Sequence, residues 1–459
     1  MKPTTPRGRK AAITRIVAIG AAGLVAVGLS GCGPEIGSAD TTTTSSTVLK
    51  APTEKSPKGE ITIWDRSGDL FKVFDAAIAD FNKVYPDIKV NHEAVDIDAK
   101  LQNTLITGTD VPDGVFLDDA KVGGYADYLW NLKDVLAPYS KDIAKQKVDV
   151  NTVKGGTYGV PFDLDPGLLF YNAKALSAAG IDPSSIKTYD DLVAAGKKYQ
   201  AYKPGSKPIH LEQSAFLGQL QLEMYASQLG TSIADANGKL RLDSPEYKQI
   251  LGWLDDVQKQ GLGTRAEYLS PSDIGALDSG DEVFYPWSIW FDFAPQQQLT
   301  ATKGDWRAMP LPAWKDGGAR SGAMGGSSFV LPKAGKNSQL AWLFYKFLMY
   351  DKAGYTAVYG PNDVYPGGLN TSIPAYEQAA DPDKPLFKPI EAMGNQDLWS
   401  TAIEAGKEIP GGAPLPTWWS GAVDYLGNDI QKMLDGSLTP DQVIEQSSKD
   451  IQTNLIDRQ

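Results

Sequence analysis

The sequence predicts an α/β architecture in two domains, and three observations carry this expectation. Strand-like and helix-like segments alternate from residue 60 onward. The composition, 42 % hydrophobic and 22 % charged over 459 residues, suits a globular chain with two cores. Beyond the amino-terminal region no apolar stretch is long enough to span a bilayer, so the body of the chain is not a channel or permease. No internal repeat is found.

Residues 1–31 read as an export signal. Lys2, Arg7, Arg9, Lys10 and Arg15 precede a run from Ile16 to Leu29 that is apolar or glycine throughout. That run is shorter than the roughly 20 residues a membrane helix needs. It ends in Leu29-Ser30-Gly31-Cys32, and Cys32 is the only cysteine in the chain. A lone cysteine forms no internal disulfide and has no metal-binding companions here. The four residues resemble a bacterial lipobox, which implies cleavage before Cys32 and a diacylglycerol thioether on its sulfur. Two acyl chains at about 0.8 kcal/mol per buried CH₂ give stable anchoring. The alternative is an ordinary cleaved signal with an incidental cysteine. Residues 32–59 are rich in Thr, Ser and Pro and are expected to form a flexible tether. The expected location is the extracytoplasmic face of the cell membrane in a Gram-positive-type bacterium, with a periplasmic inner-membrane lipoprotein as the alternative. The chain is acidic, with a formal net charge of −12, which argues against nucleic acid as a partner.

Past the tether, "EITIWD" (60–65) reads as a strand with Ile61 and Ile63 on one face. Leu70, Phe74, Ala77, Ile78 and Phe81 then recur at helical spacing before Pro86. "IKVNHEAV" gives a second strand, a helix runs around 99–107, and "DGVFLDD" gives a buried strand ending in acids. This order argues for a largely parallel sheet, whose ligands sit beyond the carboxyl ends of the strands. Asp65 and Arg66 follow the first strand, and Asp118 and Asp119 the third.

"GGTYGVPFDLDPGLLFYNAKALSAAGID" (155–182) followed by "TYDDLVAAGKKY" (188–199) resembles the extracellular solute-binding proteins of ABC importers, in particular the maltose- and oligosaccharide-binding group. Three later stretches match in order: "FYPWSIWFDF" (284–293), "MGGSSFVLPKAGKNSQLAWLFYKFLM" (324–349), and the carboxyl-terminal "PLPTWWSGAVDYLGNDIQKMLDGSLTPDQVIEQSSKDI" (414–451). The resemblance implies a two-lobed periplasmic-binding-protein-like fold with three crossings between the lobes. Lobe 1 would hold 60–163 and 300–352, and lobe 2 would hold 164–299 and 353–459. The ligand lies in the cleft, hinge rotation closes the lobes on it, and a permease recognises the closed form. The implied protein is a monomer that performs no chemistry and needs no cofactor.

Sugar hydroxyls suit Asp, Glu, Asn, Gln and Arg, and pyranose C–H faces pack on flat aromatic rings. The family position of a stacking tryptophan falls on Trp287, which is assigned to the cleft. Trp290, one turn on within the apolar "WFDF", is the second candidate, with a core role the better reading. Trp418 and Trp419 open a helix where the family has another stacking aromatic. Adjacent helical residues point about 100° apart, so one of the two reaches the cleft. Asp163 and Asp165 share a face of the inter-lobe crossing, and the position of Asp165 is one where the family contacts sugar hydroxyls. A pair of solvated hinge acids is the alternative, and for Asp163 an equal one. Asp118, Asp119 and Lys121 match the sugar-contacting loop of the first lobe. Leu117 replaces an aromatic found in some maltose binders, which counts against malto-oligosaccharide. Asp65 and Arg66 are further candidates, and Phe216, Gln219, Asn362, Asp363, Asn395 and Gln396 lie on segments that could line the cleft.

Two other classes were weighed. A glycoside hydrolase also uses paired carboxylates, and a polyamine, peptide or phosphoglycerol receptor would share the fold. Of the two histidines, His92 reads as part of an exposed strand face, and His210 as core or cleft. No spacing of His, Cys or acids suggests a metal.

Overall fold

The computed structural model describes residues 48–235, 238–410 and 415–458. Residues 1–31 and Cys32 lie outside this range, as does the tether up to residue 47. The tether is shorter than its composition suggests. Leu49 is buried in the core of the first lobe, its N–H donating to the Asn131 carbonyl at 2.9 Å. One aliphatic side chain among small polar ones is enough to dock this segment, so residues 48–59, read as tether from composition, include chain packed on the first lobe.

The first lobe is built as the alternation predicts. Strand β1 (Gly59–Asp65) pairs in parallel with β2 (Ile88–Ala94) and with β3 (Gly114–Asp118). Helix α1 (Asp69–Val84) buries Phe74, Ala77 and Phe81 of the stripe read from the sequence, together with Val73, and leaves Leu70 and Ile78 half-buried. Helix α2 (Ile97–Thr107) starts where the Asp96 carboxylate accepts from the Ala99 N–H and stops at Gly108, whose φ of 66° few other residues adopt. Helix α3 (Asp119–Tyr125) follows β3 directly. Strands Ser327–Val330 and Gly159–Pro161 complete the sheet, the former antiparallel to both neighbours.

The second lobe has a five-stranded sheet in the order Gly263–Ala266, Ile209–Glu212, Phe284–Ser288, Gly167–Asn172, Trp306–Pro310. Trp306–Pro310 pairs along its length with Gly167–Asn172. The boundary expected at 300 is therefore displaced, and the chain returns to the first lobe near 324–327. The boundary expected at 353 moves as well: Val358, Tyr359, Tyr365, Leu369 and Tyr376 all belong to the core of the first lobe. Both displacements arise because a sheet edge and an aromatic core recruit neighbouring chain past the point where local pattern changes.

Three segments run side by side between the lobes. Phe162 N–H donates to Ser327 O at 3.0 Å, Met324 N–H to Asp165 O at 3.1 Å, and Ala375 N–H to Phe162 O at 3.1 Å. Ile373–Pro374 pairs with Asp163–Leu164. The carboxyl-terminal helix Pro440–Ile451 begins in a capping box formed by Thr439 and Gln442. Among the described residues no helix is long and apolar enough to cross a membrane.

Candidate functional site

A cavity of about 370 Å³ opens between the lobes beside the crossing segments. From the first lobe it is lined by Arg66, Asp118, Asp119 and Lys147, from the crossings by Asp163, Asp165, Gly326 and Ser327, and from the second lobe by Phe216, Leu220, Glu223, Thr231, Ser232 and Trp290. Arg66, just past β1, and Asp118 and Asp119, at the end of β3, meet here because parallel strands deliver their carboxyl ends to one edge.

The charges are paired in chains. Arg66 Nη1 donates to Asp118 Oδ1 at 2.5 Å and its Nη2 to Ser327 Oγ at 3.1 Å. Asp118 also pairs with Lys121 at 3.1 Å. Burial opposes ionisation of Asp118, but Arg66 and Lys121 outweigh it and hold its carboxyl below the usual range. Lys147, on the short helix Lys145–Val150, is buried between Asp119, to which it donates a hydrogen bond, and Asp163 at 3.6 Å. Burial disfavours its ammonium, yet Asp119 and Asp163 more than compensate and keep it charged. Gly326, with φ of 108°, lies against this cluster; a Cβ there would sit 2.5 Å from Lys147 Nζ and 2.8 Å from Asp119 Oδ2. Close approach, rather than turn geometry alone, requires glycine at this point.

Several polar atoms on the cavity wall have no hydrogen-bond partner: Asp165 Oδ1, Thr231 Oγ1 and Ser232 Oγ. Burial, reinforced by the neighbouring Asp163, pushes the Asp165 carboxyl well above its ordinary value. A neutral carboxyl both donates and accepts. Burial likewise raises Glu223 to about 7, while a 2.9 Å hydrogen bond from Tyr247 works in the other direction.

The shift at Glu223 carries a stability prediction. A carboxyl whose folded pKa is raised binds its proton more tightly when folded, so its contribution is fully present below the unfolded value near 4.5 and is lost as pH rises toward about 7. The loss is on the order of 3 kcal/mol at most. Glu223→Gln is expected to flatten the fall in melting temperature between pH 4.5 and 7 relative to the parent chain. Parallel profiles for the two proteins would show that Glu223 does not titrate there.

The aromatic assignment is reversed by the structure. "FYPWS" is a strand rather than a helix start. It lies in the middle of the second sheet and is buried on both faces. Trp287 is accordingly 0 % exposed, with Tyr268 stacked on it at 5.5 Å, and it does not line the cavity. Trp290, just past the carboxyl end of that strand, does line it and stands edge-on to Trp287 at 5.0 Å. Trp418 and Trp419 are both buried away from the cavity. Trp419 packs edge-on to Phe216, which takes the wall position instead.

Asp65 is buried behind the site, accepting from the Arg66 N–H at 2.7 Å. Lys121 sits at the rim, its Nζ 5.4 Å from the Phe216 ring of the other lobe. Gln219 does not line the cavity and donates to the Trp419 carbonyl at 3.3 Å, while Gln396 is engaged with both backbone groups of Ala308 and Asn362 with its own turn. Asp363 and Asn395 are likewise absent from the wall. His92 is not exposed; it stacks on Phe71 at 4.0 Å with its side chain buried. Sequence reasoning missed Lys147, Glu223, Thr231 and Ser232. The glycine pair 325–326 ahead of a strand was the available signal for a tight approach.

The family profile described as bacterial extracellular solute-binding protein matches residues 65–355. The chain belongs to this family. Among relatives of this solute-binding protein, the arabinooligosaccharide-binding protein of Bacillus subtilis (strain 168) is 28 % identical over 319 residues, 65 % of this chain and 71 % of that one. The lactose-binding protein of Rhizobium radiobacter is 28 % identical over 372 residues, 77 % of this chain and 83 % of that one. The fold of the solute-binding protein is similar to that of the ABC transporter associated binding protein of B. animalis subsp. lactis Bl-04, solved with beta-1,6-galactobiose, at a TM-score of 0.71 and 20 % identity over 88 % of this chain and 98 % of that one. The galacto-N-biose-/lacto-N-biose I-binding protein of Bifidobacterium longum gives the same TM-score of 0.71 at 18 % identity, over 88 % of this chain and 98 % of that one.

Proposed function

We propose that this chain is the receptor of an ABC sugar importer and captures a short oligosaccharide between its lobes. The observation that carries the reading is the wall of the cavity: unpartnered buried hydroxyl and carboxyl atoms at Asp165, Thr231 and Ser232 stand beside the rings of Trp290 and Phe216. Unsatisfied buried polar groups are costly, and a polyol supplies partners that both donate and accept. The volume, about 370 Å³, lies near the lower end of ligand cavities, roughly 300–1,000 Å³, and suits a small number of sugar rings. The relatives are named for ligands of the same class, arabinooligosaccharide and lactose.

A polyamine fits less well, because Arg66 and Lys147 line the same wall as the acids. Hydrolysis fits less well too, because Asp118, Asp119 and Asp163 are engaged with Arg66 and Lys147 rather than free to flank a glycosidic bond. In this reading Cys32 carries the lipid anchor, the receptor works as a monomer at the outer membrane face, and it docks on a permease when closed. The test is calorimetric titration of residues 48–459 with arabino-, galacto- and malto-oligosaccharides and a polyamine. One-to-one binding of one sugar class without product formation is expected. Binding of the polyamine alone, or release of cleaved sugar, overturns the reading.

A further inference from the structure

Behind the cleft, in the core of the second lobe, three carboxylates surround one imidazole. His210, Asp273 and Glu282 are each 0 % exposed, and Glu212 is 1 % exposed. Among the described residues His210, Asp273 and Glu282 are the one group whose potential ligand atoms all fall within 4.8 Å of one another. Such a density of acid without water is costly unless cations balance it.

Two of the carboxylates accept hydrogen bonds from backbone N–H groups. Glu212 accepts from Ser214 at 2.7 Å and Tyr268 at 3.0 Å, and Asp273 accepts from Leu269 at 2.9 Å. The third, Glu282, has no hydrogen bond at either oxygen. His210 Nδ1 faces Glu282 Oε1 at 2.9 Å and Asp273 Oδ1 at 3.7 Å, so ring and acids are held together by charge, in contacts that lack the alignment of good hydrogen bonds. These spacings bracket the roughly 3.3 Å edge of a tetrahedron with bonds of about 2.0–2.1 Å, the geometry of zinc with nitrogen and oxygen ligands.

The surroundings match what such a site needs. The other ring nitrogen, Nε2, lies 3.5 Å from Glu212 Oε2, so a carboxylate stands behind the imidazole as it does behind most metal-bound histidines. Tyr285 stacks on the ring at 3.8 Å and directs its hydroxyl at Asp273, fixing both groups. We propose that His210 Nδ1, Asp273 and Glu282 bind one divalent ion of the zinc class, with Glu212 as the carboxylate behind the histidine. An imidazole ligand and full burial favour zinc over calcium or magnesium, which take oxygen ligands. The ligands come from three separate elements at 210, 273 and 282, so no sequence spacing announces them. Because the group is fully enclosed, the ion enters as the lobe folds.

The test is refolding residues 48–459 from denaturant with zinc chloride or with EDTA, then removing loose ions and measuring bound metal by mass spectrometry and the melting temperature. One zinc per chain and a higher melting temperature in the zinc arm are expected. Calcium or magnesium chloride should not substitute. Glu282→Gln and Asp273→Asn, each checked for folding by circular dichroism, should drop the zinc content at least tenfold. Absence of stoichiometric zinc and of any shift in the parent chain overturns the site and leaves a bare ion-pair cluster. Zinc retained equally by folded variants also overturns it, by placing the ion elsewhere. Neither outcome depends on sugar binding.

Discussion

Trp290→Ala is expected to leave a folded receptor whose affinity for its ligand falls by about 1–3 kcal/mol, roughly fivefold to more than a hundredfold. Trp287→Ala is expected to do the reverse. Trp290 stands past the carboxyl end of a central strand and presents its ring to the cavity, whereas Trp287 fills the core below it against Tyr268, Tyr285 and His210. Removing a buried indole costs about 3–5 kcal/mol of folding stability, through lost burial and the cavity left behind. Urea unfolding and calorimetric titration of the two variants separate these effects. Equal affinity for parent and Trp290→Ala would remove the ring from the site; a stability loss below 1 kcal/mol for Trp287→Ala would remove the other from the core.

This pair shows where sequence reasoning stops. The strand ends that carry Arg66, Asp118 and Asp119, and the crossing that carries Asp163 and Asp165, were legible because a parallel sheet and a hinge place them by topology alone. All five line the cavity. Which of two tryptophans three residues apart faces the ligand was not legible. It depends on whether "FYPW" is strand or helix, and the pairing with Gly167–Asn172 decides that from far along the chain. The lobe boundaries failed for the same reason: Trp306–Pro310 joins the second sheet through a partner more than 130 residues earlier in sequence. Lys147 gave no local signal at all, since a lysine in a short helix is normally solvated, and only the fold shows that it is enclosed.

That lysine is where the second large effect is expected. Lys147 is buried among Asp119 of α3, Asp163 of the first crossing and the Ser327 carbonyl of the second, 3.4 Å away. Lys147→Met keeps the length and apolar bulk of the stem but leaves two buried carboxylates without their cation. Breaking a buried pair from one side costs about 3–5 kcal/mol, far more than the net worth of the pair. The loss should depend on pH. Burial already raises the Asp163 carboxyl and Lys147 is the main charge that works against it, so without Lys147 it rises further: the variant is least impaired below the unfolded value near 3.8 and loses stability as pH climbs. Urea midpoints at pH 5 and pH 8 should therefore diverge more in Lys147→Met than in the parent. The double variant Lys147→Met/Asp119→Asn should recover much of the deficit, because it removes the stranded charge instead of restoring the bridge. A single variant within 1 kcal/mol of the parent at both pH values would mean that the acids find other partners. The expected result instead makes the lysine the charge that lets Asp119 of the first lobe and Asp163 of the first crossing come together at the floor of the cleft.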